Sequence, residues 1–195
     1  MNRFLVPVVA IAVLAGCASD PARREKIVKE HSATLPPPTA SLSSYGKFEL
    51  KSMALGDAVA KDEAKAAVAK DLDTRIQERM RPLFAQWGAE TAGASSAKTL
   101  VVQPRIINLR VIGGATRFFA GALAGDSSIT MDLELRDAAT GALVANPTIV
   151  RNANAFAGGY SVGSTDQNLL NYIADIATQY LQEHHGANAR TEKSQ

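Results

Sequence analysis

Between residues 128 and 136 apolar and polar side chains alternate without a fault: Ile129, Met131, Leu133 and Leu135 on one side, Ser128, Thr130, Asp132, Glu134 and Arg136 on the other. A period of two belongs to an extended strand with one face in a core and one in water, because successive side chains leave a pleated backbone on opposite sides. A helix would scatter the same residues around its circumference. The rest of the chain must therefore pair with this strand and cover one of its faces. The strand is entered through a glycine-rich run that holds Gly121, Gly125 and Ser127. It is left through Asp137, Thr140 and Gly141, a turn whose glycine can take the positive φ that reverses a hairpin.

Three further strands and two helices are legible around it. Phe48 and Leu50 alternate with Lys47, Glu49 and Lys51 in a first strand over residues 47–53. A helix follows over residues 57–87, with Val68, Leu72, Ile76, Met80, Leu83 and Trp87 recurring at three- and four-residue steps. Asp57 is its expected N-cap and Gly88 its C-cap, and Pro82 predicts a kink or break near Arg81. In the next strand the alternation of Leu100, Val102, Pro104 and Ile106 slips to Ile107, Leu109 and Val111, which implies a bulge. Pro104 has no amide for a ladder and suggests an edge or that same irregularity. A fourth strand, residues 142–156, is interrupted at Asn146 and Pro147. The second helix, residues 165–185, has a Ser164–Gln167 capping box and stops at Gly186, leaving residues 187–195 as a disordered tail. The order β-α-β-β-β-α predicts a single α+β domain over residues 45–186. It would be a two-layer sandwich of a mixed, mostly antiparallel four-stranded sheet with two helices on one face.

The N-terminus has a different character. A basic head, Arg3, precedes an apolar run over residues 4–14 that is shorter than the roughly 20 residues a spanning helix needs. The run ends in Leu14-Ala15-Gly16-Cys17, which resembles a bacterial lipobox; Cys17 is the one cysteine in the chain. The resemblance implies a lipoprotein signal peptide over residues 1–16, with Cys17 as the lipidated first residue of the mature chain. Ala18, where an aspartate would favour the inner membrane, points by the same resemblance to the periplasmic face of the outer membrane. Residues 17–44, with charged pairs and Pro36-Pro37-Pro38, read as a lipid-anchored flexible tether. Loss of Arg3 with the signal lowers the basic residues from 21 to 20 against 19 acidic, a net charge of about +1, which makes no electrostatic case for nucleic acid.

The lipobox, the strand-helix-strand opening, the glycine-rich run ending in Gly125-x-Ser127, the alternating strand and the Asp137-x-x-Thr140-Gly141 turn together resemble the bacterial lipoproteins catalogued as domain-of-unknown-function family 4410. The element order is also similar to envelope lipoproteins that activate peptidoglycan synthases and to the soluble part of curli secretion lipoproteins.

Motifs for catalysis are weak. Gly159-Tyr160-Ser161-Val162-Gly163 has the form of a nucleophile elbow, but His184 and His185 lie about 27 Å further along a helix and His31 lies in the tether. Adjacent histidines point to different sides of a helix, so His184 and His185 make no metal clamp and are expected to favour its C-terminal dipole. No Walker-type Gly-Lys-Ser/Thr follows the glycines, and no cofactor or metal is expected. The feature that resists a structural explanation is the uncharged run over residues 118–124. Arg117, Phe118, Phe119 and Leu123 either fold back into the core or form an exposed partner-binding loop. The expected function is a non-catalytic protein-binding or scaffold module of the cell envelope, with an unidentified envelope protein or a second copy as partner. An oligomer that inserts its hairpin as a pore, and a hydrolase, are the alternatives.

Overall fold

The computed structural model describes residues 21–91, 98–110, 127–153 and 164–191. Its elements are α1 (Pro21–Ser32), a 3-10 turn (Leu42–Ser44), β1 (Tyr45–Leu50), β2 (Ala54–Leu55), α2 (Asp57–Ala60), α3 (Glu63–Glu90), β3 (Lys98–Arg110), β4 (Ser127–Asp137), β5 (Leu143–Ala145), β6 (Thr148–Ala153) and α4 (Ser164–Thr191). The architecture is α+β, a mixed and mostly antiparallel open sheet packed against helices. Among the described residues no helix is long and apolar enough to cross a membrane.

The alternating strand is central. β4 pairs antiparallel with β3 on one side and with β5 and then β6 on the other, while β1 and β2 pair parallel to β3. Ile129, Met131, Leu133 and Leu135 are buried together with Leu72, Ile76, Met80 and Trp87 of α3 and Leu169, Ile173, Ile176 and Tyr180 of α4. Burial of each such aliphatic side chain stabilises the fold by about 1.5–3 kcal/mol. The phase slip in β3 is a bulge between Ile106 and Asn108, which turns Ile107 out to water.

The sheet has six strands rather than four, because each outer position is filled by two short strands in succession. Pro104 lies in the sheet interior, opposite Leu133, at the level where β3's outer partner changes from β1, whose last residue Leu50 pairs with Val102, to β2, whose first residue Ala54 pairs with Arg105. No ladder amide is called for there. On the other side Asn146 and Pro147 separate β5 from β6, and the Pro147 carbonyl still accepts from the Leu133 amide at 3.0 Å.

Several helix boundaries differ from expectation. The first long helix is split: α2 is a four-residue turn with Gly56 at its N-cap, and α3 starts afresh at Asp62, whose carboxylate accepts from the Lys65 amide at 3.1 Å. α3 runs unbroken through Pro82 and past Gly88 to Glu90, since the Thr91 hydroxyl bonds the Trp87, Gly88 and Gly46 carbonyls and ends the helix there. Gly186 does not stop α4. Its φ is not positive, good helix formers follow it, and residues 187–191 of the expected disordered tail are helical. Gln167 bonds across to Arg75 and Asp71 on α3, while the side chain of Ser164, the other half of the expected capping box, lies outside the described residues.

The largest correction concerns residues 21–44, which are no free tether. A 12-residue helix is marginal alone, but α1 does not stand alone. Val28 and Ser32 are buried, and the Ser32 hydroxyl donates to Glu183 Oε2 on α4 at 2.6 Å. Beyond α1 the Pro36 carbonyl accepts from the Tyr180 hydroxyl at 2.9 Å, the Thr39 amide donates to the Val144 carbonyl at 2.8 Å, and Leu42 is fully buried. Tertiary packing thus straps this segment from α4 across to β5.

Candidate functional site

The residues singled out in the sequence divide into two groups. Cys17, Arg117, Phe118, Phe119, Gly121, Leu123 and Gly125, together with the 159–163 motif, lie outside the described residues. Ser127, Asp137, Thr140 and Gly141 are described, and they bracket β4. Ser127 is buried at its start, opposite Ala153. At its end Asp137 Oδ1 accepts from the Ala139 amide, the Thr140 amide and the Thr140 hydroxyl at 3.0–3.1 Å. The Thr140 and Ala139 amides and the Thr140 hydroxyl hold that carboxyl below its ordinary pKa, with Lys98 adding to the effect. Gly141 closes the turn at φ 70° and donates to the Asp137 carbonyl at 2.8 Å. Asp137 Oδ1 and both Thr140 groups are thus engaged in holding the turn.

A denser polar cluster lies on the helical layer. Arg75 and Arg79 are one turn apart on α3; Gln167, Asn171 and Asp175 are one turn apart on α4. Arg75 bonds Gln167 and, at 2.7 Å, Asn171; Arg79 bonds Asn171 at 2.8 Å and Asp175 at 2.7 Å. The sequence separation drops from 96 to 92 and returns as one arginine passes to the next, the signature of two parallel helices with side chains interleaved turn by turn. From α1, Arg24 brings Nε to Asp175 Oδ2 at 2.7 Å and closes a second contact through Nη2. One carboxylate therefore ties three helices together. An open groove of about 330 Å³ runs beside it, lined by Pro21, Arg24 and Val28 of α1, Arg79 of α3 and Asp175 and Gln179 of α4.

Next to the staple, the Tyr172 ring lies under two guanidiniums, Arg24 at 5.5 Å and Arg151 of β6 at 5.1 Å from its centroid. Arg151 Nε is buried and makes no hydrogen bond. Burial and, after it, the positive charge of Arg151 lower the His31 pKa. None of these residues stands out in the sequence. Arg75 and Asp71 lie on the side of α3 that periodicity assigns to solvent, and the visible signal was the four-residue spacing of Gln167, Asn171 and Asp175 beside the apolar stripe.

The histidine pair does not sit at a helix end. His185 stacks on Trp87 with ring centroids 3.8 Å apart and 3° between planes, beside Phe48 and Phe84, and His184 meets Tyr180 edge-on at 4.5 Å. Burial depresses both imidazole pKa values. Among the described residues no three His, Cys, Asp or Glu side chains gather to hold a metal ion.

No family model matches the chain, and no curated protein matches it. Among solved structures it is similar to the PelC dodecamer of Paraburkholderia phytofirmans, at 15% identity and a TM-score of 0.40 over 74% of this chain and 94% of that one. A variant of the same dodecamer gives 15% and 0.41 over the same shares. A candidate lipoprotein from Caulobacter crescentus gives 15% and 0.34 over 86% of this chain and 98% of that one. Likeness at this level assigns neither activity nor assembly to this chain.

Proposed function

We propose that the protein is a lipid-anchored envelope lipoprotein, held through Cys17 at the periplasmic face of the outer membrane, and that it acts as a non-catalytic module that binds an envelope partner. The observation that carries this reading is the common direction of the anchor and the glycine-rich loop. α1 is parallel to α4, since Arg24 meets Asp175 and Ser32 meets Glu183. α4 is parallel to α3 through the arginine ladder. α3 is antiparallel to β1, because Asp73 accepts from Met53, Gln77 bonds Lys51 and Thr91 bonds Gly46. β1 is parallel to β3. The N-terminus of α1 therefore points toward the end of the sheet where β3 finishes at Arg110 and β4 starts at Ser127.

Three residues separate Cys17 from Pro21, and even a fully extended chain allows only about 14 Å between them. A tether of 27 free residues would have put the domain roughly 30 Å from the lipid; docking of α1 brings it to the membrane surface. The loop over residues 111–126, with Arg117, Phe118, Phe119 and Leu123, springs from this anchored end. A partner that lies at or in the membrane is thus the one it meets. Three acyl chains on Cys17 make the attachment effectively permanent.

The test is Cys17→Ser. Labelled palmitate enters the wild type and not the variant, and the wild type fractionates with the outer membrane. Palmitate entering the variant refutes the anchor, and recovery of the wild type with the inner membrane refutes the placement. Replacement of both Phe118 and Phe119 by serine removes envelope cross-links while leaving the melting temperature in place; a large loss of stability instead assigns both rings to the core.

A further inference from the structure

We propose that the surface between α1, β6 and α4, built on Arg151, Arg24 and Tyr172, binds an anionic phosphate group. Arg151 carries the argument. Its Nε is buried and makes no hydrogen bond, although guanidinium N–H groups are strong donors and a buried donor without an acceptor is disfavoured. Among the described residues no carboxylate forms an ion pair with it. Its guanidinium and that of Arg24 each lie over the Tyr172 ring, so the two cations are no further apart than the sum of their distances to one ring centroid. Like charges brought together in this way call for a shared counter-charge.

Asp175 does not supply that charge in full. It already serves Arg24 and Arg79, so the three arginines around it and Tyr172 carry three positive charges against one negative. Of the other nearby acids, Asp71 is paired with Arg75 and Glu25 with Lys29, while Glu183 accepts from the neutral Ser32 hydroxyl and Gln179 amide at the far end of α1 from Arg24. The Arg24 fork already holds Asp175 through Nε and Nη2, so the open fork is that of Arg151, and guanidinium N–H pairs match the oxygens of a tetrahedral, multiply charged oxyanion two at a time. Two sources present that chemistry, a phospholipid headgroup and free phosphate. The site does not depend on the lipid anchor.

The experiment uses the full chain carrying Cys17→Ser, so that no acyl chain contributes and the fate of the anchor reading is not at stake. Inorganic phosphate is titrated by calorimetry. Co-sedimentation is measured on phosphatidylcholine vesicles with and without phosphatidylglycerol. Arg151→Gln is compared with Arg23→Gln, an exposed α1 arginine that changes the net charge equally. The expected result is a loss of affinity of about tenfold or more for Arg151→Gln and less than about twofold for Arg23→Gln. Arg151→Lys, which keeps the charge without the fork, falls between and covers the case in which the glutamine variant does not fold. Loss seen with phosphate identifies a free phosphate site; loss seen only on anionic vesicles identifies a headgroup site. Equal effects of Arg151→Gln and Arg23→Gln, or no binding to either probe by the parent, overturns the proposal.

Discussion

Replacement of Asp175 by alanine tests the three-helix staple. The side chain is 23% exposed and its partners Arg24 and Arg79 are 28% and 26% exposed, so the contacts are partly shielded but not dry. Hydrogen bonds to charged groups contribute about 1.5–3 kcal/mol each when well shielded. Here both arginines can swing into water once the carboxylate is gone, which brings the expected total for the two partners to about 2–3 kcal/mol. In a domain of this size 1 kcal/mol shifts the midpoint by about 2–4 °C, so the variant should melt roughly 4–12 °C below wild type. Asp175→Asn keeps one acceptor and the shape, and should lose about half as much. Thermal melts by circular dichroism, repeated at high salt where the gap should narrow, provide the measurement. A midpoint within about 1 °C of wild type, or the same loss when Arg24 and Arg79 have already been replaced, would show that Asp175 couples the helices by no more than proximity.

Gly141→Ala should cost about 1–2 kcal/mol from backbone strain alone, because φ is 70° and no atom lies within 4 Å of the added carbon; an unchanged melt refutes the turn assignment. Stability should fall with acid. The half-buried His31, His184 and His185 have folded pKa values below the ordinary 6.5, so their contribution is complete above 6.5 and is lost as pH drops through the folded values. His185→Phe keeps the stack on Trp87 and should flatten that acid slope; an identical slope counts against His185. Tyr180→Phe should cost about 1 kcal/mol for the bond to Pro36 and abolish a phenol that burial pushes up to about 12, read by ultraviolet absorbance against pH.

The central strand, the bulge in β3, the break at Asn146 and Pro147 and the apolar faces of α3 and α4 were legible in the sequence. Each is recorded by residues a few positions apart, and the periods of two and 3.6 are properties of the local backbone. Which turn residues cap a helix was read less well. Asp62 prevailed over Asp57, and Gly88 and Gly186 passed as helical, because a glycine permits an end without requiring one. The docking of α1, the ladder from Arg75 and Arg79 to Gln167, Asn171 and Asp175, and the placing of Arg24 and Arg151 over Tyr172 were decided by tertiary structure alone. Apart from Arg151 and Tyr172, which are 21 positions apart, the partners stand 92 to 151 residues apart, and polar side chains on a helix flank carry no mark of whether water or another helix will face them. That choice waits on the register in which buried faces pack, and the register is set by the shape of the whole core rather than by any stretch of chain.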